Sequence, residues 1–161
     1  MVPAIAQAGI ALGVCVAVGV LAGVVWQWLW TPSTGVVVDH EWLLGLSGLQ
    51  AEFSATGLYV LVATVAGLLV GTLCGLFLDR AELVTLVAVL VGAALAGWLM
   101  VQVGQVLGPP DPRELAETAR NGTRLPSALE IVGTSPYVAM PAGATLGLAV
   151  VLLGLAKRHA D

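Results

Sequence analysis

The sequence predicts an all-α membrane protein: a four-transmembrane-helix bundle with a small mixed extracytoplasmic cap made by its two long loops. Three observations predict it. Hydrophobic residues are 58% of the 161-residue chain, charged residues are 10%, and the mean hydropathy is +0.97; a soluble domain carries roughly 25% charged residues. Four apolar stretches, at 5–29, 56–78, 83–107 and 136–156, each reach the ~20 residues that a helix needs to cross the hydrocarbon core. None of the four contains an Asp, Glu, Lys, Arg or His. The whole chain, 1–161, then forms one integral membrane domain with outer loops at 30–55 and 108–135.

The first span ends in Trp26, Gln27, Trp28, Leu29 and Trp30. Indole rings favour the headgroup level, so Trp26, Trp28 and Trp30 are candidate interfacial anchors. Thr31-Pro32-Ser33 stops the helix, because Pro32 disfavours helical geometry at the residue before it. Cys15 and Cys74 fall inside apolar segments and read as small buried hydrophobes. Leu12-Gly13-Val14-Cys15 faintly resembles a lipoprotein cleavage site, but Val14 is bulky and no basic n-region precedes it. The first span is therefore expected to be a retained helix.

In the first loop, Val36-Val37-Val38 and Trp42-Leu43-Leu44 flank Asp39-His40-Glu41, which predicts a short hairpin. Gly45-Leu46-Ser47-Gly48 reads as a turn. The second and third spans are joined by Asp79-Arg80-Ala81-Glu82, short enough to make them antiparallel neighbours. Gly108-Pro109-Pro110-Asp111-Pro112 ends the third span. In the second loop, Asp111, Pro112 and Glu114 supply an N-cap, a proline at the first helical position and a capping-box acid. That helix is expected to end near Asn121-Gly122, with Leu129-Glu130-Ile131-Val132 as a strand. The fourth span carries Pro141 beyond its first turn, and a kink near the interface is expected there.

Four spans place both termini on one side. Arg80, Lys157 and Arg158 lie on that side, and Arg113, Arg120 and Arg124 on the other, so the raw count ties. The first three lie close to helix ends, whereas Arg120 and Arg124 lie far from either flanking span, and the first loop has Asp39, Glu41 and Glu52 and no basic residue. Basic residues near helix ends weigh most in orientation, so the termini are expected in the cytoplasm of a cell with this protein in its plasma membrane. Lys157 and Arg158 are further interfacial anchors, and His159 shares their polar tail. The net charge of -4 and six dispersed basic residues argue against nucleic acid, and no nucleic-acid partner is expected.

The strongest pattern is Ala63, Gly67, Gly71 and Gly75, a small residue at every fourth position of the second span. Lipid tails are as apolar as leucine, so membrane helices associate by close packing, which small residues permit. This face packs helices within the subunit or docks another membrane protein or a second copy. Gly9 and Gly13, Gly19 and Gly23, and Gly143 and Gly147 repeat the spacing. Gln27, Gln102 and Gln105 are the polar intramembrane residues and read as a structural clasp at the outer ends of their spans. Thr64 and Thr72 are expected to bond to their own helix.

Enzymatic and metal chemistry have thin support. Asp39-His40-Glu41 is a metal-like cluster without the third or fourth convergent ligand that zinc needs. Asn121-Gly122-Thr123 fits a glycosylation sequon, but a turn accounts for it. Gly45-Leu46-Ser47-Gly48 spells the Gly-x-Ser-Gly of rhomboid intramembrane proteases, yet no span supplies a histidine base. No catalytic residue, cofactor or metal ligand is expected.

Glu52-Phe53-Ser54-Ala55-Thr56-Gly57-Leu58-Tyr59, Gly108-Pro109-Pro110-Asp111-Pro112 and Gly122-Thr123-Arg124, in that order, resemble an uncharacterised actinobacterial four-transmembrane family of unknown function (DUF2567-like). The resemblance implies the four-span layout and carries over no known activity and no catalytic residue. The expected function is that of a non-enzymatic multi-pass membrane protein, an accessory or scaffold subunit acting through helix packing with the lipid bilayer as its solvent. A small transporter or homo-oligomeric pore is the alternative, and an intramembrane hydrolase a remote one.

Overall fold

The computed structural model describes residues 4–77 and 82–158. The turn expected at Asp79, Arg80 and Ala81 and the tail residue His159 lie outside them. In chain order the elements are α1 (Ala4–Leu29), β1 (Thr34–Val38), β2 (Glu41–Leu43), α2 (Leu46–Phe77), α3 (Glu82–Leu107), α4 (Pro112–Ala116), β3 (Arg124–Pro126), a 3-10 turn (Ser135–Val138) and α5 (Ala139–Arg158). Helices α1, α2, α3 and α5 are each long and apolar enough to cross a membrane. At 1.5 Å per residue, the shortest of them reaches about 30 Å.

Small residues line much of the interior, and many leucines face outward. Ala11, Cys15, Ala22, Ala63, Ala66, Ala93, Ala96 and Ala144 are buried, while Leu21, Leu61, Leu69, Leu95 and Leu153 are exposed on the outer surface. Lipid solvates leucine as well as protein does, so burying it gains little. Close backbone approach gains more dispersion contact, and it needs small residues at the seam.

The bundle is built from two pairs that are not sequence neighbours. Helix α1 lies along α3, and α2 lies along α5. Gly19 abuts Ala96 and Gly23 abuts Met100; Gly67 abuts Met140 and Gly75 abuts Val151. Partner numbers rise together in each pair, so both pairs run parallel. The antiparallel neighbours α2 and α3 touch far less.

Three boundaries differ from the sequence-based expectation. Helix α2 begins at Leu46, about ten residues early, so Leu46, Ser47 and Gly48 form its first turn rather than a loop. No proline falls between Leu46 and Phe77 to stop it. The fourth span changes helix type ahead of Pro141: a 3-10 turn leads into α5, where Pro141 is the third residue. A first-turn N–H has no intrahelical acceptor, so proline costs little there. Helix α4 stops at Ala116, short of Asn121-Gly122, although Ala119 N still donates to Leu115 O at 3.1 Å.

The cap sits at the end of the bundle where α1 and α3 finish and α2 and α5 start. Its sheet has the order β2-β1-β3, all antiparallel. Val36 pairs with Leu43 on one side and with Arg124 on the other. The sheet thus joins the two long loops to each other. The strand expected at Leu129–Val132 is absent, and β3 forms at Arg124–Pro126 instead. Leu129 is spent filling the bundle end, where it is fully buried.

Candidate functional site

The glycine face of α2 meets α5 backbone to backbone. A Cβ at Gly71 would overlap the Ala144 carbonyl, and one at Gly67 would lie 2.9 Å from Ala144 N. The approach is reciprocal, since a Cβ at Gly147 would lie 2.9 Å from Thr72 N. Ala63 is fully buried, and Gly75 faces the side chains of Leu148 and Val151. This surface is occupied within the chain. Gly19, Gly23 and Gly92 are filled the same way in the α1–α3 seam, Gly92 by Cys15. Gly9 and Gly13 are not: nothing among the described residues lies within 4 Å of a Cβ at either, and both are exposed.

The three tryptophans separate. Trp28 is 79% exposed, whereas Trp26 is 0% and Trp30 8% exposed. Each helical residue turns 100°, so positions 26 and 30 share the inward face and 28 points away. Only Trp28 has the outward placement expected of an interfacial anchor. Trp26 Nε1 donates to the Ala55 carbonyl at 3.0 Å, and its ring meets Tyr59 edge-on at 5.3 Å. Tyr59 in turn donates to the Gly97 carbonyl at 3.1 Å. Gly104 makes room for the indole, because a Cβ there would lie 2.6 Å from Trp26 Cε3. These bonds join α1, α2 and α3 at one level.

Among the described residues no hydrogen bond joins the three glutamines into a clasp. Gln102 and Gln105 are exposed on the outside of α3, and Gln27 is half-buried on α1. The polar residues that do enter the seam are Gln7 and Thr85, both buried near the opposite end. A lone glutamine in the first turn of an apolar helix was the available signal for the first of these. Thr64 Oγ1 donates to Val60 O at 2.7 Å, as its position on the helix predicts. Lys157 and Arg158 fall in the last turn of α5.

Asp39 and His40 turn the hairpin with φ of 49° and 64°, the left-handed pair that a tight type I′ connection requires. Asn121 secures this turn: its Oδ1 accepts from Asp39 N at 2.9 Å and its Nδ2 donates to Asp39 Oδ1 at 3.3 Å. His40 Nδ1 lies 3.1 Å from the Glu117 carbonyl. The acidic cluster is therefore engaged in cap structure, as is the sequon asparagine. Among the described residues, no three His, Cys, Asp or Glu side chains are grouped to hold a metal.

Between cap and bundle lies a cavity of about 210 Å³. Trp30, Trp42, Asp111, Arg113, Ser127 and Glu130 are among the residues of its wall. Asp111 Oδ1 caps α4 by accepting from Arg113 N at 2.8 Å. Ser127 Oγ accepts from both the backbone N and the hydroxyl of Ser33, each at 3.1 Å, leaving its own O–H to donate. Trp42 Nε1 donates to the Leu125 carbonyl at 3.3 Å. Trp30 Nε1 is buried without a partner among the described residues. Sequence reading missed this cavity, since its residues are scattered from position 30 to 132.

No protein-family model, curated protein or solved structure matches this chain. What the molecule itself displays is a capped bundle of four apolar helices, the architecture of a multi-pass membrane protein.

Proposed function

We propose that this is a non-enzymatic accessory subunit of the plasma membrane, which docks a partner's transmembrane helix on the first half of α1. The observation that carries the reading is the contrast within one helix. Gly19 and Gly23 are filled by α3, while Gly9 and Gly13, with the same spacing, stand open on an exposed face continued by Ala17. Two small residues four apart let a second helix backbone approach closely. The four apolar stretches carry no Asp, Glu, Lys, Arg or His, which leaves packing as the main interaction they offer within the hydrocarbon region. The positive-inside pattern supports termini in the cytoplasm and the cap outside.

Gentle detergent extraction from the native membrane is the test. A stoichiometric partner should co-purify with the wild type and be lost from Gly9→Ile/Gly13→Ile, a change that meets open space in the isolated fold. Recovery of the wild type only as a clean monomer would overturn the reading. Solute flux through reconstituted protein would instead favour a transporter or pore.

A further inference from the structure

We propose that the cavity beneath the cap is a binding site for the headgroup of a zwitterionic phospholipid of the ethanolamine type, with the lipid's chain lying in the trough beside it. This rests on the chain's membrane placement but not on the partner reading.

The first argument is location. The cavity wall includes Trp30, one residue past α1, and Ala55, two residues inside the apolar stretch Phe53–Phe77. The cavity therefore lies at the end of the spans, where lipid headgroups are. Its volume of about 210 Å³ far exceeds the roughly 10–15 Å³ that admits one water.

The second argument is chemistry. Trp30, more than nine-tenths buried, contributes its indole ring to the wall. Ser127 adds a hydroxyl donor and Arg113 a guanidinium, the group best suited to a phosphate's paired oxygens. Asp111 keeps one oxygen free of its capping bond, and Glu130 brings a second carboxylate. Those two acids, with the indoles of Trp30 and Trp42, suit an ammonium. One guanidinium with two carboxylates is complementary to a phosphate bearing an amine. It is poorly matched to a purely anionic headgroup.

The third argument selects the source. A shallow, mainly apolar trough of about 440 Å³ adjoins the cavity, and Val132 belongs to both walls. Val60, Val138, Ala139 and Ala142 line it on the outer faces of α2, the 3-10 turn and α5. Val132 N donates to Thr56 Oγ1 at 3.1 Å where the two spaces meet. A polar chamber opening beside an apolar trough fits an amphiphile, whereas a free phosphoamine would use the chamber alone.

Native mass spectrometry of the full chain, released from vesicles of equal phosphatidylethanolamine and phosphatidylglycerol, provides the test. Phosphatidylethanolamine should be retained preferentially, and Arg113→Gln/Glu130→Gln should reduce that retention about tenfold. Both residues are exposed, so the fold should survive, which circular dichroism checks. Ala142→Trp, filling the trough from an exposed position, should also reduce retention. Equal retention of the two lipids, or indifference to the charge substitutions, would overturn the proposal. So would soluble phosphoethanolamine competing as well as the lipid does, because the trough would then contribute nothing.

Discussion

At the scale of single residues, the aromatic chain from Trp26 through Tyr59 shows how polar atoms are managed inside an apolar bundle. Each donor reaches a helix carbonyl, Ala55 for the indole and Gly97 for the phenol. Both carbonyls lie on another helix, so the bonds tie helices together. Tyr59→Phe keeps the ring and removes one such bond; it should destabilise the protein by about 1 kcal/mol, seen as a lowered unfolding midpoint in detergent. A midpoint equal to the wild type's would show that the bond adds nothing to stability. The sequence marked these residues only partly. Trp26 stood in an interfacial cluster, and its inward direction followed from helical phase only once α3 was placed beside it. Gln102 and Gln105 illustrate the converse: their spacing was legible, but not which way that face turned.

At the scale of elements, glycine spacing was legible and its use was not. Gly67 and Gly71 fit α5 because α5 offers Gly143, Ala144 and Gly147 in matching register. A seam needs small residues on both sides, which a single helix cannot reveal. Gly71→Leu should therefore destabilise by at least about 2 kcal/mol, as overpacking of a tight interface does. Gly9→Leu should leave stability unchanged, since it meets open space. Thermal unfolding of the two variants in one detergent compares them directly, and equal losses would refute the seam. The hairpin and the Asp111 cap followed from local turn chemistry, and both form. The start of α2 and the fate of Leu129–Val132 did not, because tertiary burial outweighed the local signals there.

At the scale of the whole molecule, the sheet β2-β1-β3 joins the α1–α2 connection to the α3–α5 connection, so the cap links both parallel pairs at one end. Reporters at the C-terminus and after Gly122 should fall on opposite sides of the membrane, the first in the cytoplasm; a common side would contradict a four-span path. The sequence by itself determined the solvent of this protein, the number of its spans and the local turns of its cap. Those depend on apolar length, the exclusion of charge and backbone preference, each a property of neighbouring residues. Only the tertiary structure decided which helices pair, which glycines stay open and where a polar cavity forms. Lipid does not sort helix faces as water does, so pairing rests on shape matched between segments far apart in the chain.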